Sequence, residues 1–288
     1  MFSGSIVAVV TPFRNGKVDF EKIDELVEMH VRAGTDAIVP CGTTGESPTL
    51  SHDEHDAVIE RVVKAAKKRC PVIAGTGSNA TAEAIRLTRH AEDAGADGSL
   101  QVCPYYNKPT QEGLYQHFKA VAEAVSIPIV LYNIPSRSGR NIDVDTMARL
   151  SEIRNIVAVK SAAGSTDQVT EIILRTPLTV LSGDDSMTLP FMALGAKGVI
   201  SVVANIVPGD VHAMVHAFLD GDAAKARKLN AKLYPLAKAM FVETNPGPVK
   251  AAMAMLGMIE REMRLPMVPP TGTSEVKIRK ALEDYGLL

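Results

Sequence analysis

The chain has 288 residues, 46% of them hydrophobic and 22% charged, with a formal net charge of −2 at pH 7. That balance describes a soluble globular protein with enough apolar material for a large core. Its interspersed charges exclude a dedicated nucleic-acid groove or membrane-binding face, so small polar partners are expected.

The opening apolar run, Ile6–Val10, has no charged flank and is too short for a secretory core or a membrane span, so it reads as a first strand. A helical stripe follows at Phe20, Ile23, Val27 and Val31. The second strand is expected at Ala37–Val39, and Ser51-His52-Asp53-Glu54 fits a capping box that opens the next helix. Further strands are expected at Val72–Gly75, Gly98–Val102, Ile129–Asn133, Ile156–Lys160, Thr179–Ser182 and Gly198–Val202, with helical segments such as Leu114, Phe118, Val121 and Val125 between them.

Three helices close in similar words, AGTDAI at 33–38, AGADGS at 94–99 and LGAKGV at 194–199, each a glycine C-cap leading into a strand. This repeated βα unit, eight times by about residue 210, predicts an α/β fold of the (β/α)8 TIM-barrel type. The rest is helical, giving an expected catalytic barrel over 1–224 and a C-terminal helical appendage over 225–288. Cys41, Cys70 and Cys103 lack the paired spacing of a zinc site or disulfide framework, which predicts reduced thiols and a cytoplasmic protein.

In such barrels the active site lies at the C-terminal ends of the strands. The polar residues there are Thr43 and Thr44, Tyr105 and Tyr106, Tyr132, Arg137 in the loop beyond, and Lys160 at the end of IVAVK. A lysine ending a buried strand is pushed toward its neutral form. At an ordinary pKa of about 10.4, only about one molecule in a few thousand is neutral at pH 7, so burial would supply a nucleophile. The bland reading, a lysine snorkelling to solvent, is equally open from position alone. Thr43 and Thr44, between Gly42 and Gly45, could hold a small carboxylate or form only a polar turn. Phenols and a threonine hydroxyl could relay protons if they meet in space, and Arg137 could clamp a second carboxylate or decorate a loop.

GSIVAVVTPF, CGTTGESPTL, CPYYNKPTQEGLYQHF, LYNIPSRSG, LSGDD and GVISV occur together in this order. In these words the whole chain resembles the dihydrodipicolinate synthase family, within the superfamily of pyruvate-dependent class I aldolases and N-acetylneuraminate lyase. The resemblance implies condensation of pyruvate with L-aspartate-4-semialdehyde through an imine on Lys160, with neither a metal nor a cofactor. It implies a proton relay of Thr43, Tyr106 and Tyr132, with Tyr132 the principal acid and base. It also implies that Thr44 contacts the pyruvate carboxylate, that Arg137 receives the semialdehyde carboxylate, and that the backbone at Gly183 and Ile200 lines the site.

A homotetramer built from tight dimers is implied as well, with Tyr106 reaching into its neighbour's site. So is an L-lysine effector site formed by Ser47, His52, His55, Asn79, Glu83 and Tyr105. Two departures stand out. Ser161-Ala162-Ala163-Gly164 replaces the acidic residue and alanine-threonine-glycine common after the lysine, and Pro48 stands where alanine is common in lysine-sensitive members.

Related lysine aldolases differ mainly in the second substrate, and Arg137 with the paired threonines favours the semialdehyde. Gly75-Thr76-Gly77-Ser78-Asn79-Ala80 formally fits a dinucleotide fingerprint but lacks an acid at the end of the next strand. His52 and His55 have no third metal ligand at a strand end.

Overall fold

The computed structural model describes residues 2–288. Eight parallel strands form a barrel: β1 Gly4–Ala8, β2 Ala37–Val39, β3 Ile73–Gly75, β4 Gly98–Val102, β5 Ile129–Asn133, β6 Ile156–Ser161, β7 Thr179–Ser182 and β8 Gly198–Ser201. The principal helices that follow them are α1 Phe20–Arg32, α2 His52–Ala66, α3 Thr81–Asp93, α4 Gln111–Glu123, α5 Val144–Ser151, α6 Thr166–Arg175, α7 Thr188–Leu194 and α8 Pro208–Leu219. Three more, α9 Ala223–Ala239, α10 Gly247–Met255 and α11 Gly272–Tyr285, complete the chain. The fold class expected from the repeated units is the one observed.

Pairing runs β2-β1-β8-β7-β6-β5-β4-β3. A single parallel bridge, Ile38 to Val72, completes the ring, supported by the Gly75 N–H donating to the Pro40 carbonyl at 2.9 Å. At this seam a Cβ on Gly75 would fall 2.4 Å from the Cys41 carbonyl oxygen. Close packing of two strand ends therefore accounts for the glycine that formally began a dinucleotide fingerprint. The first strand begins and ends two residues earlier than expected, and Val9 and Val10 are buried just beyond it. Val9 N–H still donates to the Val39 carbonyl at 3.1 Å, but Val10 N–H turns to the Asn205 side chain at 3.1 Å, so burial outlasts the ladder.

Alternate strand residues point inward, as the two-residue period of a strand requires. Ile6, Ala8, Ala37, Val39, Ile73, Leu100, Val130, Tyr132, Ala158, Leu181 and Ile200 form the inner cluster. The other faces pack beneath the helices in two further clusters. Ser51 caps α2 with the reciprocal Glu54 bond expected of a capping box.

The C-terminal helices share the barrel's outer core through Leu236, Val249 and Ile278. Within that region Lys250 is buried and ion-paired to Glu46, whose backbone is left-handed at φ 52°. The Lys250 ammonium also donates to the Thr11 carbonyl at 3.0 Å and lies 4.3 Å from the centre of the Phe13 ring. Removing one member of such a pair strands the other charge in a dry interior. Lys250→Met should lower unfolding free energy by roughly 3–5 kcal/mol in urea titrations, and Glu46→Gln with Lys250→Met should recover much of the loss. Equal stability of the single and double variants would show that the pair does not carry this charge balance.

Candidate active site

Strand register places Lys160 on β6 beside Tyr132 on β5 and Leu181 on β7. Its Nζ lies 4.2 Å from the centre of the Tyr132 ring, and the residue is only 5% exposed, so the amine does not snorkel out. Burial lowers its pKa to about 8, with the positive charge of Arg137 acting in the same direction and Asp185 opposing both. Tyr132 is buried too, which pushes its phenol up to about 12 against the pull of the Arg137 charge and the Thr43 hydroxyl.

Asp185 is a residue that sequence reasoning passed over. Its carboxylate accepts hydrogen bonds from the Ser201 hydroxyl and from the Val202 and Val203 N–H groups at 2.9 and 3.0 Å. Burial raises its pKa, while those bonds favour the charged form. The only sequence signal was its place in the word LSGDD.

Gly183, just after β7, is a site of close approach. A Cβ there would lie 3.2 Å from Lys160 Cε and 2.8 Å from the Ala162 Cβ. Ile200 is fully buried on β8, in the same inner cluster as Tyr132.

Asn245 was also missed, because NPGP reads only as a helix entrance. Its side-chain N–H donates to the Thr44 hydroxyl at 3.1 Å, and its backbone carbonyl accepts from Arg137 Nη2 at 2.8 Å. One buried residue from the C-terminal region thus joins the two groups singled out for carboxylates.

Beside Tyr132 opens a cavity of about 570 Å³ whose walls include Thr43, Tyr132, Arg137 and Asn245. Ser47, His52, His55, Glu83 and Tyr105 line the same cavity on its outer side. There His52 Nε2 lies 2.8 Å from Glu83, whose other oxygen accepts from the Ser78 hydroxyl. These bonds lower the Glu83 pKa, the Ser78 hydroxyl contributing most. His55 is pinned to the Gly75 carbonyl at 2.9 Å, and burial lowers its pKa. Thr44, Lys160, Gly183 and Ile200 are not in the wall, nor is Asn79, whose backbone carbonyl accepts from Asn107 at 2.8 Å.

Tyr106 does not join Thr43 and Tyr132 within the chain. It is 89% exposed, with a left-handed backbone at φ 73°. Such a conformation is unusual for a bulky side chain.

What this end of the barrel holds is a buried amine whose pKa is lowered to about 8, in a (β/α)8 enzyme barrel, with polar groups disposed around a small cavity beside it. Comparison with known proteins is specific. Residues 1–285 match the model of the Dihydrodipicolinate synthetase family. The chain is 56% identical to the 4-hydroxy-tetrahydrodipicolinate synthase of Syntrophus aciditrophicus over the full length of both. It superposes with a TM-score of 0.97 and 47% identity on the chloride-inhibited dihydrodipicolinate synthase of Acinetobacter baumannii complexed with pyruvate, covering 100% of each chain. It superposes equally well, at 0.97 and 41% identity, on the Cyanidioschyzon merolae enzyme with lysine bound, covering 100% of this chain and 99% of that one. The chain belongs to the dihydrodipicolinate synthetase family. Among the described residues no helix is long and apolar enough to cross a membrane.

Proposed function

We propose that Lys160 is the Schiff-base lysine through which this enzyme exerts 4-hydroxy-tetrahydrodipicolinate synthase activity, the condensation of pyruvate with L-aspartate-4-semialdehyde in lysine biosynthesis. The observation that carries the assignment is the desolvated strand-end amine, its pKa lowered to about 8. The neutral amine adds to the keto carbon of pyruvate and water leaves, giving an imine. Loss of a methyl proton yields an enamine, whose carbon attacks the semialdehyde. The semialdehyde's own amine then displaces Lys160 from the imine carbon, closing the ring and freeing the enzyme.

Tyr132, with Thr43 and a Tyr106, moves the protons. Its phenol keeps its proton at neutral pH and can pass it on along a hydrogen-bonded chain without a free phenolate. Thr44 holds the pyruvate carboxylate and Arg137 that of the semialdehyde, with the backbone at Gly183 and Ile200 shaping the floor. No resident cofactor or metal enters the condensation. In this reading the barrel over 1–224 is catalytic, and the helical region over 225–288 completes the site through Asn245. A cytoplasmic location, open to test by cell fractionation, fits the three buried free thiols.

The exposed Tyr106 supports a tight dimer in which each chain lends this phenol to the other's relay, within a homotetramer. The common cavity supports feedback by L-lysine. Glu83 would take an ammonium and Asn79 and Tyr105 a carboxylate, with Ser47, His52 and His55 around them. The C. merolae relative, with lysine bound, is the precedent. Tyr105 adjoins Tyr106, so an effector gripping the first can displace the second.

Borohydride reduction in the presence of pyruvate should attach one reduced pyruvyl group to the peptide containing Lys160, and Lys160→Ala should abolish it. The rate of imine formation should rise with pH through about 8 and level off above it, because it follows the neutral amine. Labelling at another lysine would reject the assignment, and a rate still climbing toward the ordinary value of 10.5 would remove burial as its cause.

Mixing inactive Tyr106→Phe with inactive Lys160→Ala subunits should restore partial activity, since one site of a mixed dimer keeps both groups. No recovery after verified subunit exchange means that the phenol is not shared. Millimolar L-lysine should slow the wild type and slow Glu83→Ala less. A wild-type rate indifferent to saturating L-lysine ends the feedback proposal.

A further inference from the structure

At the opposite face of the barrel, two elements nearly the whole chain apart meet. Asp36 sits just before β2, in the word AGTDAI, and His212 and His216 sit one turn apart on α8. His216 Nε2 lies 2.9 Å and His212 Nδ1 3.6 Å from the same carboxylate oxygen, Oδ2 of Asp36. The two rings are stacked, 4.0 Å between centres and tilted by 31°. We propose that Asp36, His212 and His216 form a divalent-metal site of the zinc class, which staples the last barrel helix to the first two strands.

The repeat within the fold separates what is ordinary here from what is not. Asp36 accepts from the Ser5 N–H at 2.7 Å and donates its own N–H to the Ser5 carbonyl at 2.9 Å. Asp97, the matching residue of AGADGS, does the same with Val72, at 2.9 and 2.8 Å. The carboxylate is therefore a brace between neighbouring strands, needed whether or not a metal binds. The difference lies in the countercharge. Lys68 Nζ serves Asp97 at 3.1 Å, whereas Asp36 faces two imidazoles.

A brace has no use for the second ring. Oδ2 already accepts from Ser5 and pairs with His216, and His212 Nδ1 is a buried nitrogen without a hydrogen-bond partner among the described residues. Two imidazole nitrogens and a carboxylate oxygen, all within 4.8 Å of one another, are the usual donors for zinc. Tetrahedral bonds of about 2.0–2.1 Å put neighbouring ligand atoms about 3.3–3.4 Å apart. The observed 2.9 and 3.6 Å straddle that separation, and turning the histidine side chains until their ring centres part from 4.0 Å to roughly 5 Å would aim both nitrogens at one ion.

The surroundings agree. His216 is in the last turn of α8, where the helix dipole favours positive charge, and the Ser5 N–H holds the carboxylate as an outer partner. Three protein donors leave a fourth position open to solvent. None of the three residues borders the substrate cavity, so the ion is structural and lies on the face that serves stability in such barrels. The i, i+4 histidine spacing is visible in the sequence, but the third ligand is 180 positions away from His216.

The test uses the full-length enzyme, stripped with a chelator and titrated calorimetrically with zinc, then with cobalt as a spectroscopic probe. The wild type should bind a single equivalent of zinc per chain, gain thermal stability and give the intense visible absorption of tetrahedral cobalt. His212→Gln and His216→Gln should each weaken zinc binding by at least the roughly 10–100-fold that loss of an outer partner already costs. Pyruvate trapping on Lys160 should be unchanged in both. If His216→Gln fails to fold, His212→Gln decides the matter, since that ring makes no hydrogen bond to lose. No stoichiometric uptake by the wild type, or undiminished affinity in His212→Gln, overturns the proposal.

Discussion

The candidate active site depends on the cost of keeping an ammonium group out of water. Lys160 is the last residue but one of a strand paired on both sides, and its amine lies against the Tyr132 ring instead of in solvent. Desolvation destabilises the charged form, and the shift raises the neutral fraction at pH 7 from about one in a few thousand to about one in ten. Asp185 keeps the shift from going further, because its carboxylate returns part of the attraction that water would have supplied. The resulting amine is basic enough to attack a carbonyl and neutral often enough to do so.

Holding that amine in place draws on most of the chain. The barrel brings strand ends from distant parts of the sequence to one mouth, and the Gly75 seam lets the last pair of strands approach closely enough to close it. Asp185 is oriented by the start of the segment after β8. Asn205 then ties that segment back to β1, donating to the Ala8 carbonyl at 2.9 Å. The C-terminal helices are part of the same construction. Asn245 reaches Thr44 and Arg137, and Lys250 neutralises Glu46 beneath the loop that carries the two threonines.

The two faces of the barrel divide the work. The mouth concentrates polar side chains around a cavity, with a left-handed Tyr106 on the loop beyond, and these are the features of a site shaped for ligands rather than for economy of packing. The opposite face repeats one brace, an aspartate whose carboxylate takes a neighbouring residue's N–H and whose own N–H donates to that residue's carbonyl, at Asp36 and again at Asp97. Polar groups around a cavity occupy one end, and the other end ties neighbouring strands together.

The repeated glycine caps, the alternation of apolar runs and the apolar run reaching Lys160 determined the eight βα units and the leading nucleophile candidate, because each is a local pattern that one element enforces, whereas closure into a barrel rests on the long-range seam at Gly75. Strand ends were less legible, as at β1, because burial continues at Val10, whose N–H has left the ladder for the Asn205 side chain. Whether Lys160 was buried or snorkelling was undecidable locally, since solvation depends on what the other strands place around the amine. Asp185, Asn245 and the buried Lys250–Glu46 pair were invisible for the same reason: their partners lie far away in the chain, and no spacing within one element records them. Only the tertiary structure decided that Tyr106 is exposed within its own chain and that Asp36 meets two histidines. Both follow from where the closed barrel places the ends of its elements in space.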